Sequence, residues 1–388
     1  MRMTLSQSHT SNKRGNFTLE ICTTNLCDLN CAYCFEGEKA REKEIKYDQD
    51  ILFKRIDEIL SDHKWFQKYY NSLNISFWGG EPTLNHAIIV EVMNKYSSHE
   101  NVSFHIYTNG FNRSNLFKIV DNVDTRRLRI QVSYDGQPIH DRYRLTKNGK
   151  KTADIIINNS KALAQKGIDL TFKSTIPLEE ISNFSSAWND LYNLQEEFRK
   201  INPNCIIRYA PTIDQAVSAS LLCEEELIKR FRVQLLSMAK KEIDFFKQNG
   251  RFLCSWFGGG ASRTTCTAGF NMAIIDVAGE VHACHGILYS KNKDRLPTTT
   301  IYDDKFIDNI AELSLKFGKI LSSKKYNECE NCVATTCMIC PVNSLDVSKK
   351  ASFDEQWTDR TCLNRCFYFK ALGEIDRAVQ EINFKEIA

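Results

Sequence analysis

Residues 22–37 read CTTNLCDLNCAYCFEG and place four cysteines within thirteen positions. Three of them, Cys27, Cys31 and Cys34, follow the spacing C-x3-C-x2-C, with Cys22 set apart. Thiols grouped this tightly serve a disulfide framework, a zinc site or an iron–sulfur cluster. Structural zinc takes four ligands, mostly as paired C-x2-C knuckles, and only one such pair is present locally. A cubane cluster takes one thiolate per iron. Three cysteines on one loop therefore leave one iron open. An amino-acid head group, through its amine and carboxylate, chelates such an iron. If the same molecule carries a sulfonium against the cluster, one electron breaks a carbon–sulfur bond homolytically.

Composition bears on the choice. The chain begins Met-Arg-Met-Thr-Leu-Ser-Gln and shows no apolar run resembling an export signal. No later segment reaches the about 18 apolar residues of a membrane span. The expectation is a cytoplasmic protein with no membrane partner, in a compartment where disulfides rarely persist. Fifteen cysteines in 388 residues, an odd number, point to metal ligation instead. A net charge of +3, from 51 basic and 48 acidic residues without long runs of one sign, gives no case for nucleic acid.

The elements that must position these thiols are legible from periodicity. Strand-like runs occur at 17–22, 73–78, 102–108, 128–133, 168–176 and 205–210. Helical patterns separate them, including 48–62 behind an Asp48 N-cap, 85–97 behind an Asn85 N-cap, and 152–166 ending at Gly167. Repeated strand–helix units predict a parallel α/β sheet, doubly wound or closed into a full or partial barrel. The strands run out into the cysteine loop, Gly79-Gly80-Glu81-Pro82, Thr108-Asn109-Gly110 and Tyr134-Asp135-Gly136. All four lie at carboxyl ends of strands, where such sheets build their sites. Taken singly, each also reads as a turn.

Together these motifs resemble the radical S-adenosylmethionine (SAM) superfamily over roughly 17–210. The cysteine motif carries aromatics Tyr33 and Phe35 on either side of Cys34, GGEP resembles the SAM-amine motif, and SYDGQPIHDRYR (133–144) resembles a SAM-contacting segment. The resemblance implies a partial (β/α)6 TIM-type barrel with a [4Fe–4S] cluster on Cys27, Cys31 and Cys34. It implies SAM contacts by Tyr33, Phe35, Gly79, Gly80, Glu81, Pro82, Thr108, Asn109, Ser133, Asp135 and Arg144. Ser133 and Arg144 would meet the SAM carboxylate and Asp135 its ribose.

Downstream, 224–249 reads as a long helix ending at Gly250. IIDVAGEVHAC follows as a hairpin turned at Ala278-Gly279, which returns Cys284 beside Cys266. Then come Cys329-x2-Cys332-x4-Cys337-x2-Cys340 and Cys362-x3-Cys366. This pattern resembles the cysteine-rich SPASM extension of radical SAM enzymes. By that resemblance Cys266, Cys284 and Cys340 hold a first auxiliary [4Fe–4S] cluster, and Cys329, Cys332, Cys337 and Cys362 a second. The usual middle spacing is x5 then x3, so Cys337 and Cys340 are open to exchange, and Cys254 is a candidate fourth ligand of the first cluster. Taken alone, the 329–340 run also suits zinc. The implied organisation is an N-terminal tail (1–16), a barrel (17–215), a bridging helix (216–253), a SPASM domain (254–370) and a terminal helix (371–388).

The resemblance further implies a peptide or protein substrate, oxidised or cross-linked through a thioether or carbon–carbon bond. The electron donor would be of flavodoxin or ferredoxin type. The overall length resembles the sulfatase-maturing branch, in which an acidic residue follows the equivalent of Cys284. His285 stands there in this chain and is the candidate catalytic base. Only about 16 residues precede the barrel, so any leader peptide would be bound by the barrel, the SPASM region or a separate protein. Oxidation of a small molecule, such as an aminoglycoside or a cofactor precursor, is the alternative enzymatic reading. A non-catalytic electron carrier would have no use for GGEP and Arg144.

Overall fold

The computed structural model describes residues 15–34, 47–137, 139–204, 207–213, 225–257, 268–288, 296, 298–322, 373–375 and 378–379. Six parallel strands form its frame: β1 (Asn16–Thr24), β2 (Ser72–Gly79), β3 (Val102–Thr108), β4 (Leu128–Ser133), β5 (Asp169–Ile176) and β6 (Ile207–Ile213). They lie side by side in chain order, each paired in parallel with the next. Between them run α1 (Gln49–Ser61), α2 (Phe66–Tyr69), α3 (His86–Tyr96), α4 (Arg113–Val120), α5 (His140–Tyr143), α6 (Ala153–Gln165) and α7 (Phe184–Ile201). The long α8 (Glu225–Asn249) follows β6, then the short α9 (His285–Leu288) and, further on, α10 (Phe306–Ser322). Among the described residues no helix is long and apolar enough to cross a membrane.

The sheet has two unlike faces, set by the two-residue period of each strand. Phe17, Leu19 and Ile21 of β1, Phe104 and Ile106 of β3, and Leu170 and Phe172 of β5 are almost wholly buried in one core with helix residues such as Ile56, Ile89 and Leu163. The alternate positions are polar: Thr18 and Glu20, Asn74 and Ser76, His105 and Tyr107, Gln131 and Ser133, Lys173. The inner face is thus lined by polar groups, while the outer face supplies the burial that stabilises the sheet.

The sheet does not stop at the expected domain boundary. β7 (Met272–Ile275) pairs in parallel with β1, and β8 (Glu280–His282) and β9 (Thr299–Thr300) follow antiparallel. The β7–β8 hairpin turns through Gly279, whose φ of +83° suits glycine. Asp48 caps α1 by accepting from Asp50 N and Ile51 N. Asn85 departs from expectation: it precedes α3 without capping it, and its amide donates to Thr23 O at 2.9 Å. Its side chain braces the end of β1 instead of the helix.

Candidate active site at the cysteine loop

β1 delivers the chain into the cysteine loop. Cys27, Cys31 and Cys34 are half-buried and in no disulfide, while Cys22 is buried within the strand. One edge of the loop is pinned to the segment after α5. Asn30 N donates to Leu145 O (2.7 Å), Ala32 N to Tyr143 O (2.9 Å), and Leu29 bridges Thr146. The other edge is pinned to GGEP, with Gly80 N donating to Thr24 O (2.9 Å) and Glu81 N to Leu26 O (2.8 Å). A Cβ on Gly79 would stand 1.9 Å from Thr24 O, and one on Gly80 2.3 Å from Asn25 O. The paired glycines therefore let two backbones meet, which holds the thiol loop against β2.

The Glu81 carboxylate is fully buried and faces its own protein. Oε1 accepts from Thr83 N (3.1 Å), Thr83 Oγ1 (2.6 Å) and Thr108 Oγ1 (2.7 Å), and Oε2 accepts from Asn109 N (2.6 Å). Burial, with Asp28 nearby, pushes its carboxyl up to about 7. Glu81 thus ties the end of β2 to the end of β3 and fixes Thr108 and Asn109 in place. Asn109 in turn reaches the thiol loop, its Nδ2 donating to Asp28 Oδ1 (2.7 Å) and lying 3.8 Å from Cys27 Sγ. Pro82 is held from the other side, its carbonyl accepting from Thr23 Oγ1 at 3.0 Å.

A second network closes over the loop from β4. Arg144 Nε donates to Asp135 Oδ2 (2.8 Å) and Nη2 to Oδ1 (3.2 Å), and both residues are buried. The Tyr33 hydroxyl also donates to Asp135 Oδ2. The Arg144 guanidinium lies 5.1 Å from the centre of the Tyr33 ring, which stacks on Tyr143 at 5.5 Å. Burial disfavours the charge on Arg144, but Asp135 and Tyr33 more than offset this and hold its pKa well above the ordinary value. Ser133, at the end of β4, is half-buried on the inner face, directly across from Lys173. Asp135 and Arg144 therefore meet each other here.

His285 opens α9 and faces the sheet. Its Nε2 lies 3.0 Å from Glu20 Oε2, and its ring packs edge-on to Trp78 at 4.3 Å. Glu20 Oε1 accepts from the Tyr107 hydroxyl (2.8 Å). Burial alone would raise the Glu20 carboxyl, but His285 and Tyr107 hold it below the ordinary range. A cavity of about 610 Å³ opens beside it, lined by Thr18, Glu20, Asn74, His105 and Tyr107 among others. Sequence reasoning missed Glu20, Tyr107 and Asp28. The only local signal for Glu20 was a carboxylate inside the strand pattern FTLEIC.

Cys254 is wholly buried, in a short parallel bridge to Tyr209 of β6. Cys284 precedes α9, and Gly269 N donates to Ala283 O (3.0 Å), so the chain just after Cys266 runs beside Cys284. Phe35, Cys266, Cys329, Cys332, Cys337, Cys340, Cys362 and Cys366 lie outside the described residues.

The donor set at the loop fits an iron–sulfur cluster. Burial, aided by Glu81 and Asp28, pushes the Cys27 thiol up to about 12. A bare thiolate is disfavoured there, and a cationic metal core would restore the balance. Asp28 Oδ2 is buried without a hydrogen-bond partner among the described residues, so the pocket also offers an unused acceptor.

Comparison with known proteins agrees with this geometry. Residues 21–180 match the family model of the radical SAM superfamily. The chain is 25% identical over 191 residues to the radical SAM cyclopropyl synthase TigE of Paramaledivibacter caminithermalis, covering 46% of this chain and 40% of TigE. It is 27% identical over 160 residues to a cysteine-type anaerobic sulfatase-maturating enzyme of Clostridium novyi, covering 39% and 41%. The matched stretch thus spans about two fifths of these relatives. In fold, the chain is similar to anSMEcpe with bound AdoMet and the Cp18Cys peptide, at a TM-score of 0.64 and 18% identity, over 95% of this chain and 99% of that one. The thiol loop, its glycine seat and the segment that pins it all fall inside the matched stretch.

Proposed function

We propose that this protein is a radical SAM enzyme of the SPASM type that modifies a peptide or protein side chain. The observation that carries the reading is the loop of Cys27, Cys31 and Cys34, pinned on one edge by GGEP and on the other by the segment holding Arg144. Cys27, Cys31 and Cys34 would hold a [4Fe–4S] cluster. Bound there, such a cluster would supply the one electron that splits SAM into methionine and a 5′-deoxyadenosyl radical able to remove hydrogen from an unactivated C–H bond. The chain's own residues do the rest. Ser133 and the carbonyls at the ends of β1 and β2 orient SAM, Glu81 ties the end of β2 to the end of β3, and Asp135 with Arg144 holds Tyr33 over the site. The inner face excludes bulk water from the radical and presents polar groups to the substrate.

On this reading Cys266, Cys284 and Cys340 hold one auxiliary cluster, and Cys329, Cys332, Cys337 and Cys362 another. Clusters held there would supply an acceptor for the electron that an oxidised or cross-linked product must shed. His285, held by Glu20, takes up the accompanying proton. The similarity to a fold solved with a bound peptide supports a peptide substrate. The donor is of flavodoxin or ferredoxin type.

The test is direct. Reconstituted without oxygen, the protein should hold about twelve irons, as three cubanes require, and form 5′-deoxyadenosine from SAM under reduction. Replacing Cys27, Cys31 and Cys34 by alanine should abolish that product, whereas Cys329→Ala or Cys362→Ala should spare it. Cleavage surviving in the triple variant would overturn the assignment.

A further inference from the structure

One contact at the site goes unused by the chemistry above. Asn109 directs both hydrogens of its side-chain amide at the thiol loop, one to Asp28 Oδ1 (2.7 Å) and one toward Cys27 Sγ (3.8 Å). The amide has no freedom to turn over. Its Oδ1 accepts from Phe111 N (2.8 Å), and the backbone N–H of Asn109 is fixed on Glu81 (2.6 Å). Asp28 follows Cys27 directly in the chain. Its Oδ1 is held by Asn109, its Oδ2 is buried without a hydrogen-bond partner, and no cation pairs with it among the described residues. An anion and a hydrogen-bond donor thus sit together against one cluster ligand.

These two groups act on an iron–sulfur cluster in opposite directions. Adding one electron makes the cluster more negative. A neighbouring anion in a low-dielectric setting opposes that charge and lowers the reduction potential. A hydrogen bond to a ligating sulfur spreads the charge and raises it.

We propose that Asp28 and Asn109 set the reduction potential of the cluster held by Cys27, Cys31 and Cys34, Asp28 driving it down and Asn109 holding it up. The step they govern is the transfer of one electron from the donor protein to the cluster, with no bond made or broken and no proton moved. A low potential makes the reduced cluster a strong reductant of SAM, and Asn109 keeps that potential within reach of a biological donor. The role rests on the cluster assignment above and is a tuning role, since neither side chain is a ligand.

The experiment is a redox titration of the reconstituted holoprotein, followed by electron paramagnetic resonance. The cluster of interest is the one whose reduced signal changes when SAM is added. Asp28→Asn should move its midpoint in the positive direction, because the charge is lost while the bond to Asn109 survives. Asp28→Ser should move it the same way, which guards against an effect peculiar to one replacement. Asn109→Ala keeps the backbone bond to Glu81 and should move the midpoint in the negative direction. A midpoint unmoved in Asp28→Asn and Asp28→Ser, with iron bound and the signal still responding to SAM, overturns this inference alone. A wild-type protein that takes up no iron at these cysteines overturns the cluster assignment with it.

Discussion

Two buried carboxylates, Asp135 and Glu20, serve the inner side of this sheet, and their pairings are built differently. Asp135–Arg144 joins residues nine apart in the chain; it is two-pronged, sealed from water, and shares its carboxylate with Tyr33 and with Thr175 N (2.9 Å). Glu20–His285 joins residues 265 apart and is single-pronged, and 30% of the histidine side chain remains accessible. The first closes a local motif around the thiol loop. The second ties β1 to the helix that follows Cys284. Structural order is concentrated in the first, while the second leaves its histidine partly open to solvent.

The sharpest way to break this contrast is Arg144→Ala. The variant leaves the Asp135 carboxylate buried without its cation, a loss of about 3–5 kcal/mol for a buried pair stripped of one partner. Tyr33 loses the guanidinium above its ring, and the loop of Cys27, Cys31 and Cys34 loses part of its outer support. Denaturant unfolding should show the lower midpoint, and SAM cleavage should fall with it. A variant as stable as the wild type would mean that the pair is not a structural element.

How much of this was legible without coordinates follows from distance along the chain. Cys27, Cys31, Cys34, GGEP and the 133–144 segment each carry their meaning in a few neighbouring residues, and the structure brings all three together. What the glycines do was not legible, because the backbone they approach, Thr24 to Leu26, is more than fifty residues earlier. Nor was the pairing of β7 with β1, since a parallel pair leaves no local turn to announce it. Glu20 reads as one polar position in an alternating strand until His285 arrives opposite it. Asn85 looked like a helix cap because asparagine commonly is one; a better partner, Thr23 O, was brought near only by folding.

A buried carboxylate without a direct ion pair sharpens the comparison. Glu242 of α8 accepts from Trp188 Nε1, Leu253 N (2.9 Å) and Cys254 N (2.9 Å). Burial, only partly offset by those donors, pushes its carboxyl up to about 7. The unfolded carboxyl titrates near 4.5, so between these values the folded state binds more protons than the unfolded one. Its contribution is complete below about 4.5 and is lost as pH rises through about 7. The loss amounts to at most about 3 kcal/mol. Melting temperatures measured from pH 5 to 8 should fall, and Glu242→Gln should flatten that fall. An unchanged slope in the variant would place the titration elsewhere.

Glu20→Gln is the gentlest perturbation and bears directly on the second pair. The amide keeps an acceptor for Tyr107, and His285 is open enough to turn toward water, so the cost should be about 1 kcal/mol. The sign of the pH effect is opposite to that of Glu242. With its folded carboxyl held below 4.5, Glu20 contributes fully above that value and loses its contribution as pH falls through the lowered one. Wild type and variant should therefore converge in stability in strong acid and separate toward neutral pH. Reductive SAM cleavage should persist in the variant, because Glu20 lies outside the network that pins the thiol loop. Conversion of a substrate peptide should slow, because His285 loses the group that aims it. If instead SAM cleavage collapses while the fold and iron content hold, Glu20 belongs with Asp135 and Arg144 in supporting the loop, and the division between the two pairs fails.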